Sequence, residues 1–199
     1  TLDVSNEFVV DKYFEENNID IVLHTAIKGG HRTKKDTYFD LVENLIMFKN
    51  LYKHRKQYKM MISFGSGAER DTTSYYGLAK NIIASEIRKC DGNIFNLRVF
   101  GCFGSTESDT RFIKNSINRV IKGQPITVHQ DKHMDYFYID DLKEVVLYYI
   151  QQRNEDLPRE VDLCYERDST LLEIAMKIKD LTDLDARIII EDNAKALSY

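Results

Sequence analysis

Lys59-Met60-Met61-Ile62-Ser63-Phe64-Gly65-Ser66-Gly67, with Tyr76-Gly77-Leu78-Ala79-Lys80 beginning ten residues after Ser66, decides how this chain is read. The apolar run from Lys59 to Phe64 is the length of a buried strand, and Gly65-Ser66-Gly67 is a turn at its carboxyl end. From about Tyr75 to Lys89, Leu78, Ile82 and Ile83 recur at helical spacing, and Ile94 to Phe100 is again an apolar strand. The same alternation runs upstream. Ile19-Asp20-Ile21-Val22-Leu23 is a short buried strand, and from Thr37 onward Leu41, Leu45, Phe48 and Tyr52 mark a helix. Before them Ser5 and Asn6 can cap a helix with Phe8, Val9, Tyr13 and Phe14 as its stripe. Strand–helix–strand units in series predict an α/β protein with a doubly wound parallel sheet.

Past Gly104 the order is less regular. A helix with Phe112, Ile113, Ile117 and Val120 stops near Gly123-Gln124-Pro125, and short strands are expected at Ile126 to His129 and Tyr136 to Ile139. A helix from Asp140 to about Gln152, a strand near Val161 to Cys164, a helix with Leu171, Leu172, Ile174 and Ile178 and a strand at Ile188 to Ile190 complete the series. The expected division is a sheet domain over residues 1–104 and a smaller mixed α/β lobe over 105–199, some of whose segments return to the sheet.

With 199 residues, 43% hydrophobic and 30% charged, and only 2 prolines and 9 glycines, the composition is globular. Lys+Arg 28 against Asp+Glu 32 leaves a net charge of -4, so nothing points to nucleic acid. Cys90, Cys102 and Cys164 are odd in number, and with His24, His31, His54, His129 and His133 they form no metal-ligand spacing; no metal and a reducing, cytoplasmic setting are expected. No apolar run approaches the roughly 18 residues of a membrane span, so no membrane contact is expected.

Tyr76 and Lys80, four apart, share one helix face. A free tyrosine has a pKa near 10 and is a poor acid at neutral pH. A nearby ammonium favours the phenolate, which predicts a lowered pKa and a proton donor suited to an alkoxide forming from a carbonyl. Ser66, at the carboxyl edge of a parallel sheet, sits where ligands bind in such folds.

The ordered set of strand, Gly-Ser-Gly, Tyr-x-x-x-Lys and a strand bearing Arg98 resembles the extended short-chain dehydrogenase/reductase family of nucleotide-sugar epimerases, dehydratases and reductases. Other stretches resemble it in the same order: Leu2-Asp3-Val4 its third strand, His24-Thr25-Ala26 the end of its fourth, Asn44 a helix asparagine. Leu97-Arg98-Val99-Phe100-Gly101-Cys102-Phe103-Gly104 resembles the loop at the nicotinamide, and Asp135-Tyr136-Phe137-Tyr138-Ile139-Asp140-Asp141 a late family segment. The resemblance implies a Rossmann-like sheet with a substrate lobe and NADP or NAD as cofactor. It assigns catalysis to Ser66, Tyr76 and Lys80, and cofactor contacts to Asp3, Val4, Thr25, Ala26, Ile27, Lys80, Val99 and Phe100.

Ala26-Ile27-Lys28-Gly29-Gly30 is most similar to GDP-L-fucose synthases, which both epimerise and reduce a 4-keto sugar. Their epimerising cysteine and histidine correspond to Ala68 and Arg111 here, and neither can shuttle a proton at a sugar carbon. Met134, Val99 and Gly101 also depart from the family's usual arginine, proline and asparagine. Substrate contacts are therefore expected from Lys28, Gly29, Arg111 or Lys114. The function expected is NAD(P)H-dependent reduction of a keto group on a nucleotide-linked sugar, the alternatives being an NAD-dependent nucleotide-sugar 4-epimerase or, if the glycine-rich loop is truly absent, a non-catalytic relic or binding module. A dehydratase carries Asp-Glu after the serine, which Ser66-Gly67-Ala68-Glu69-Arg70-Asp71 lacks. The resemblance also implies a homodimer through the helices near Thr37–Tyr52 and Tyr75–Lys89, with Met47, Phe48, Ile83 and Ile87 as its residues if they are exposed. Because Thr1 falls at the family's third strand, about 50 to 60 residues carrying a glycine-rich turn are expected ahead of it.

Overall fold

Asn6 starts the first helix, α1 (Glu7–Glu16), its side chain accepting the Val9 amide at 3.3 Å. Strand β1 (Ile21–His24) follows, and then α2 (Tyr38–Tyr52), where Thr37 and Asp40 satisfy each other's amides in a capping box. Strand β2 (Met60–Ser66) leads through a 3-10 turn, Gly67–Arg70, to α3 (Tyr75–Lys89), capped by Ser74, and to β3 (Ile94–Val99). The next elements are β4 (Cys102–Phe103), α4 (Phe112–Ile121), β5 (Ile126–Val128), β6 (His133–Met134), β7 (Phe137–Tyr138) and α5 (Ile139–Gln151). The last are β8 (Glu160–Leu163), β9 (Ser169–Thr170), α6 (Leu171–Thr182) and β10 (Ile188–Ile190). The computed structural model describes residues 2–31, 34–182 and 185–191. Thr1 and the residues after Glu191, which fall within the expected domain spans, lie outside the described residues.

Two compact units emerge. The first runs to Val99 and takes back Glu144–Leu163; the second is Phe100–Lys143 with the described residues from Cys164 onward. In the first, four strands form one parallel sheet in the order β1-β2-β3-β8. Strand alternation clothes both faces. Met61 and Ile94 point into a core with Val10 and Phe14 of α1, Phe48 and Leu51 of α2, and Ile83 and Ile87 of α3. Phe95, the next residue along β3, packs edge-on to Tyr149 of α5 at 5.1 Å between ring centroids. Parallel sheets covered on both faces read as continuous apolar runs, which is why Met60, Met61 and Ile62 are all fully buried.

The second unit builds its core from Val120 of α4, Ile126 and Val128 of β5, and Ala175 and Ile178 of α6. Its strands pair as β5 with β10 and β4 with β7, both parallel, and β6 with β9, antiparallel. No helix among the described residues is long and apolar enough to cross a membrane.

Two expectations need correction. Leu2-Asp3-Val4 is not a strand: it pairs with no strand among the described residues, and Asp3 instead turns the chain by accepting the Ser5 amide at 3.0 Å. Met47, Phe48, Ile83 and Ile87 are buried at 5, 5, 4 and 0% exposure and offer nothing to a partner. They are the core face of α2 and α3, whereas Tyr38, Phe39 and Ile46 are the exposed large apolar residues of α2.

Candidate active site

Ser66 is the last residue of β2, and its register partner on β3 is Val99. That places the hydroxyl at the carboxyl edge of the sheet. Its Oγ caps the 3-10 turn by accepting the Ala68 amide at 3.2 Å and is hydrogen-bonded to the Tyr76 phenol. Tyr76 lies in the first turn of α3 because Ser74 caps that helix, accepting the Gly77 amide at 2.9 Å. One turn on, Lys80 is 8% exposed and donates to the Phe64 carbonyl at 2.6 Å; its Nζ stands 5.9 Å from the Tyr76 ring centroid. The three residues expected to act together are therefore brought together by one strand end and one helix start.

Their electrostatics differ from expectation. The Tyr76 phenol is held above the ordinary tyrosine value, chiefly by burial; the Ser66 hydrogen bond opposes this, while Glu69 and Asp36 add to it. The expected lowering by Lys80 is not found: burial disfavours the phenolate, and the carboxylates of Glu69 and Asp36 act in the same sense. Burial also brings Lys80 down to about 8, with Glu69 opposing.

The loop after β1 closes on the tyrosine. Gly29 and Gly30 have φ of 79° and 72°, left-handed values that suit glycine. The Gly30 amide donates to Asp36 at 2.8 Å, and a Cβ there would stand 3.1–3.2 Å from the Tyr76 ring. Asn44, 1% exposed, fastens the start of this loop, its amide accepting from the Lys28 N–H at 2.9 Å and donating to the Lys28 carbonyl at 2.8 Å. Gly30→Ala is expected to displace the ring and lower turnover about 10-fold, with a smaller loss of stability. Turnover at the parental rate, with an unchanged melting temperature, would contradict this packing.

His24 ends β1 beside this group, 6% exposed, and its Nδ1 has no hydrogen-bond partner among the described residues. Burial, with Lys80 adding to it, lowers its pKa from 6.5 to about 4. The folded state then binds fewer protons than the unfolded one between those values, so stability is complete above about pH 6.5 and falls as pH drops toward 4. The loss reaches about 3 kcal/mol. Urea unfolding at pH 7.5 and pH 5.0 should show about 2 kcal/mol of this loss in the parent and much less in His24→Asn; an equal loss in both proteins would contradict it.

The other expected residues are spread out. Thr25 and Ile27 are exposed and Ala26 half-buried just past β1, while Asp3 lies in the opening turn and Val4 packs on the first unit's core. The Lys28 Nζ pairs with Glu43 at 3.2 Å. Phe100, Arg111 and Lys114 belong to the second unit. There Arg111 donates to the Cys102 carbonyl at 3.3 Å and faces Glu107 at 3.4 Å, and Lys114 donates to the Ser105 carbonyl at 2.8 Å. Sequence reasoning quotes Glu69 and His24 within longer stretches but gives neither a role. A carboxylate three residues after the serine was the available signal for the first, and the histidine ahead of Thr25-Ala26 for the second.

The residues present fit the nicotinamide side of a dinucleotide. Among the described residues, a buried ammonium with one acceptor and a buried imidazole nitrogen with none stand together at the sheet edge, short of partners that a ribose or amide can supply. No Gly-x-x-Gly-x-x-Gly turn occurs in the sequence, so no residue here is assigned to the pyrophosphate.

Among solved structures, the chain is similar to a GDP-mannoheptose C4 reductase from Campylobacter jejuni with NADP bound, at 18% identity and TM-score 0.81 over 95% of this chain and 75% of that one. It is similar to a UDP-glucose 4-epimerase from Thermotoga maritima with UDP-glucose, at 19% identity and TM-score 0.81, covering 97% and 71%. A GDP-L-fucose synthetase from Naegleria fowleri aligns at 15% identity and TM-score 0.75, covering 95% and 69%. A comparison with curated proteins returned no match. The pattern described as NAD dependent epimerase/dehydratase family matches residues 1–164. The chain therefore belongs to the NAD-dependent epimerase/dehydratase family, whose members are NAD(P)-dependent enzymes.

Proposed function

We propose that this protein reduces a keto group on a nucleotide-linked sugar. The observation that carries the reading is the joined Ser66–Tyr76–Lys80 group beside a sheet edge whose buried polar groups are short of partners among the described residues. Bound NADPH or NADH supplies hydride to the keto carbon. The Tyr76 phenol, kept protonated by its burial, donates a proton to the oxygen as charge develops there, and the Ser66 hydroxyl hydrogen-bonds the same oxygen. Lys80, cationic below about pH 8, stabilises the phenolate left behind and reaches the ribose of the cofactor. Thr25, Ala26 and Ile27 just past β1, and Val99 at the end of β3, would contact the nicotinamide side of the cofactor, and Asp3, Val4 and Phe100 are further proposed cofactor contacts.

By the resemblance, Ala68 and Arg111 correspond to the epimerising cysteine and histidine of a GDP-L-fucose synthase, which favours reduction without that epimerisation. The relatives named above act on GDP- and UDP-linked sugars, and a GDP-linked 4-keto sugar is the first substrate to try. Lys28, Gly29, Arg111 and Lys114 are its proposed contacts. The odd cysteine count supports a cytoplasmic setting, and the exposed Tyr38, Phe39 and Ile46 on α2 support pairing of two copies along that helix. Absorbance at 340 nm tests the reaction. A reductase consumes one NADPH per keto sugar, whereas an epimerase interconverts sugars with no net loss of reduced cofactor, which would replace the present reading.

A further inference from the structure

Glu69 comes three residues after Ser66, and its side chain is only 5% exposed. Oε1 accepts the Ser66 amide at 3.0 Å and the Asn96 side chain at 3.2 Å; Oε2 accepts Asn96 at 3.2 Å and the Arg98 Nε at 2.7 Å. The Glu69 carbonyl accepts the Asn81 side chain at 2.9 Å, and Asn81 follows Lys80 on α3. Arg98 extends the frame to β8, reaching Glu160 at 3.1 Å and also bonding Asp162. One residue thus ties the serine turn to β3, to β8 and to the helix that carries the tyrosine and the lysine.

Two simpler explanations fit less well. An anion site would need surplus positive charge, but Arg70, Arg88 and Arg98 around this cleft are matched by Asp162, Glu160 and Glu69 in close pairs. Stability alone is a weak reason to bury a carboxylate, because apolar side chains in place of a buried ion pair are often neutral or stabilising. What the carboxylate provides that an apolar residue does not is a fixed acceptor for the Ser66 amide.

We propose that Glu69 is a positioning residue of the active site. Through its carboxylate on the Ser66 amide and its carbonyl on Asn81, it keeps the serine and tyrosine hydroxyls in register. The proposal rests on the reading of Tyr76 as proton donor. The same charge favours the protonated forms of Tyr76 and Lys80. The charged groups acting on the phenol are Glu69 from the turn and Asp36 from the loop after β1, and the Lys80 ammonium faces its ring from the same helix, 5.9 Å from the ring centroid.

The test compares Glu69→Gln and Glu69→Asp with the parent in the full-length protein. Glutamine keeps the shape but turns an NH2 toward donors and removes the charge; aspartate keeps the charge. The phenol is followed by ultraviolet difference titration, each protein against its own Tyr76→Phe counterpart, which isolates one of 12 tyrosines. Turnover is followed with NADPH and a GDP-linked 4-keto sugar. Glu69→Gln should ionise Tyr76 at lower pH and lose about 100-fold in kcat with little change in KM. Glu69→Asp should recover part of the titration. A Glu69→Gln protein with parental titration and kcat overturns the proposal, as does a loss of kcat that only follows the loss of folded protein by circular dichroism. If Tyr76→Phe alone turns over at the parental rate, the proton-donor reading falls and takes the proposal with it, an outcome that the separate Tyr76 arm makes visible.

Discussion

Tyr76→Phe is expected to lower kcat by on the order of 100- to 10,000-fold while leaving cofactor affinity unchanged. The expectation follows from what the hydroxyl does and what the ring does. The hydroxyl bonds Ser66, which keeps its other contact, the Ala68 amide, when the phenol is gone. The ring packs against Gly30, and phenylalanine preserves that contact. The variant should therefore stay folded, with stability within about 1 kcal/mol of the parent. Steady-state kinetics and a cofactor titration check the two halves separately. Reduction at the parental rate would remove Tyr76 from the chemistry, and loss of cofactor binding would mean that the ring has a role in the cofactor site.

Lys80→Met should abolish most turnover and yet give a more stable protein. Burial lowers the Lys80 pKa from 10.5 to about 8, so below pH 8 the folded state carries the full cost of a buried cation. This cost disappears as pH rises from about 8 through 10.5, where both states become neutral. A shift of that size corresponds to about 3 kcal/mol, and the lost bond to the Phe64 carbonyl offsets about 1 of it. Urea unfolding at pH 7 should show a gain of about 1–2 kcal/mol, while kcat falls about 100-fold or more. The parent's turnover should decline above about pH 8 as Lys80 loses its proton, and the residual activity of the variant should lack that limb. A destabilised variant with normal kcat would reverse the assignment and make Lys80 a structural residue.

Sequence periodicity located the long elements because each has one face that must be buried. The helix at Tyr75–Lys89 and the strand at Ile94–Val99 stand where the apolar pattern put them, within a residue. Strands of two residues, such as β4, β6 and β9, show no period and were not foreseen. Ser66, Tyr76 and Lys80 were legible because a turn after an apolar strand and a four-residue helical step are local geometry. Glu69 was not, since its meaning lies in Asn96 and Arg98, 27 and 29 residues away, and the further pair of Arg70 with Asp162 spans 92. The sense of the Tyr76 shift was misjudged for a related reason. Residue spacing reveals the neighbouring cation, but burial is set by segments distant in the chain, here including the Gly29-Gly30 loop.

Transfer of deuterium tests the central claim most directly. The protein is incubated with NADPH deuterated at C4 of the nicotinamide on the transferred face and with a GDP-linked 4-keto sugar, and the product is weighed by mass spectrometry. The account predicts one deuterium on the former carbonyl carbon per NADPH consumed, and none formed by Tyr76→Phe over the same interval. A product without deuterium, or equal labelling by the parent and Tyr76→Phe, would contradict it.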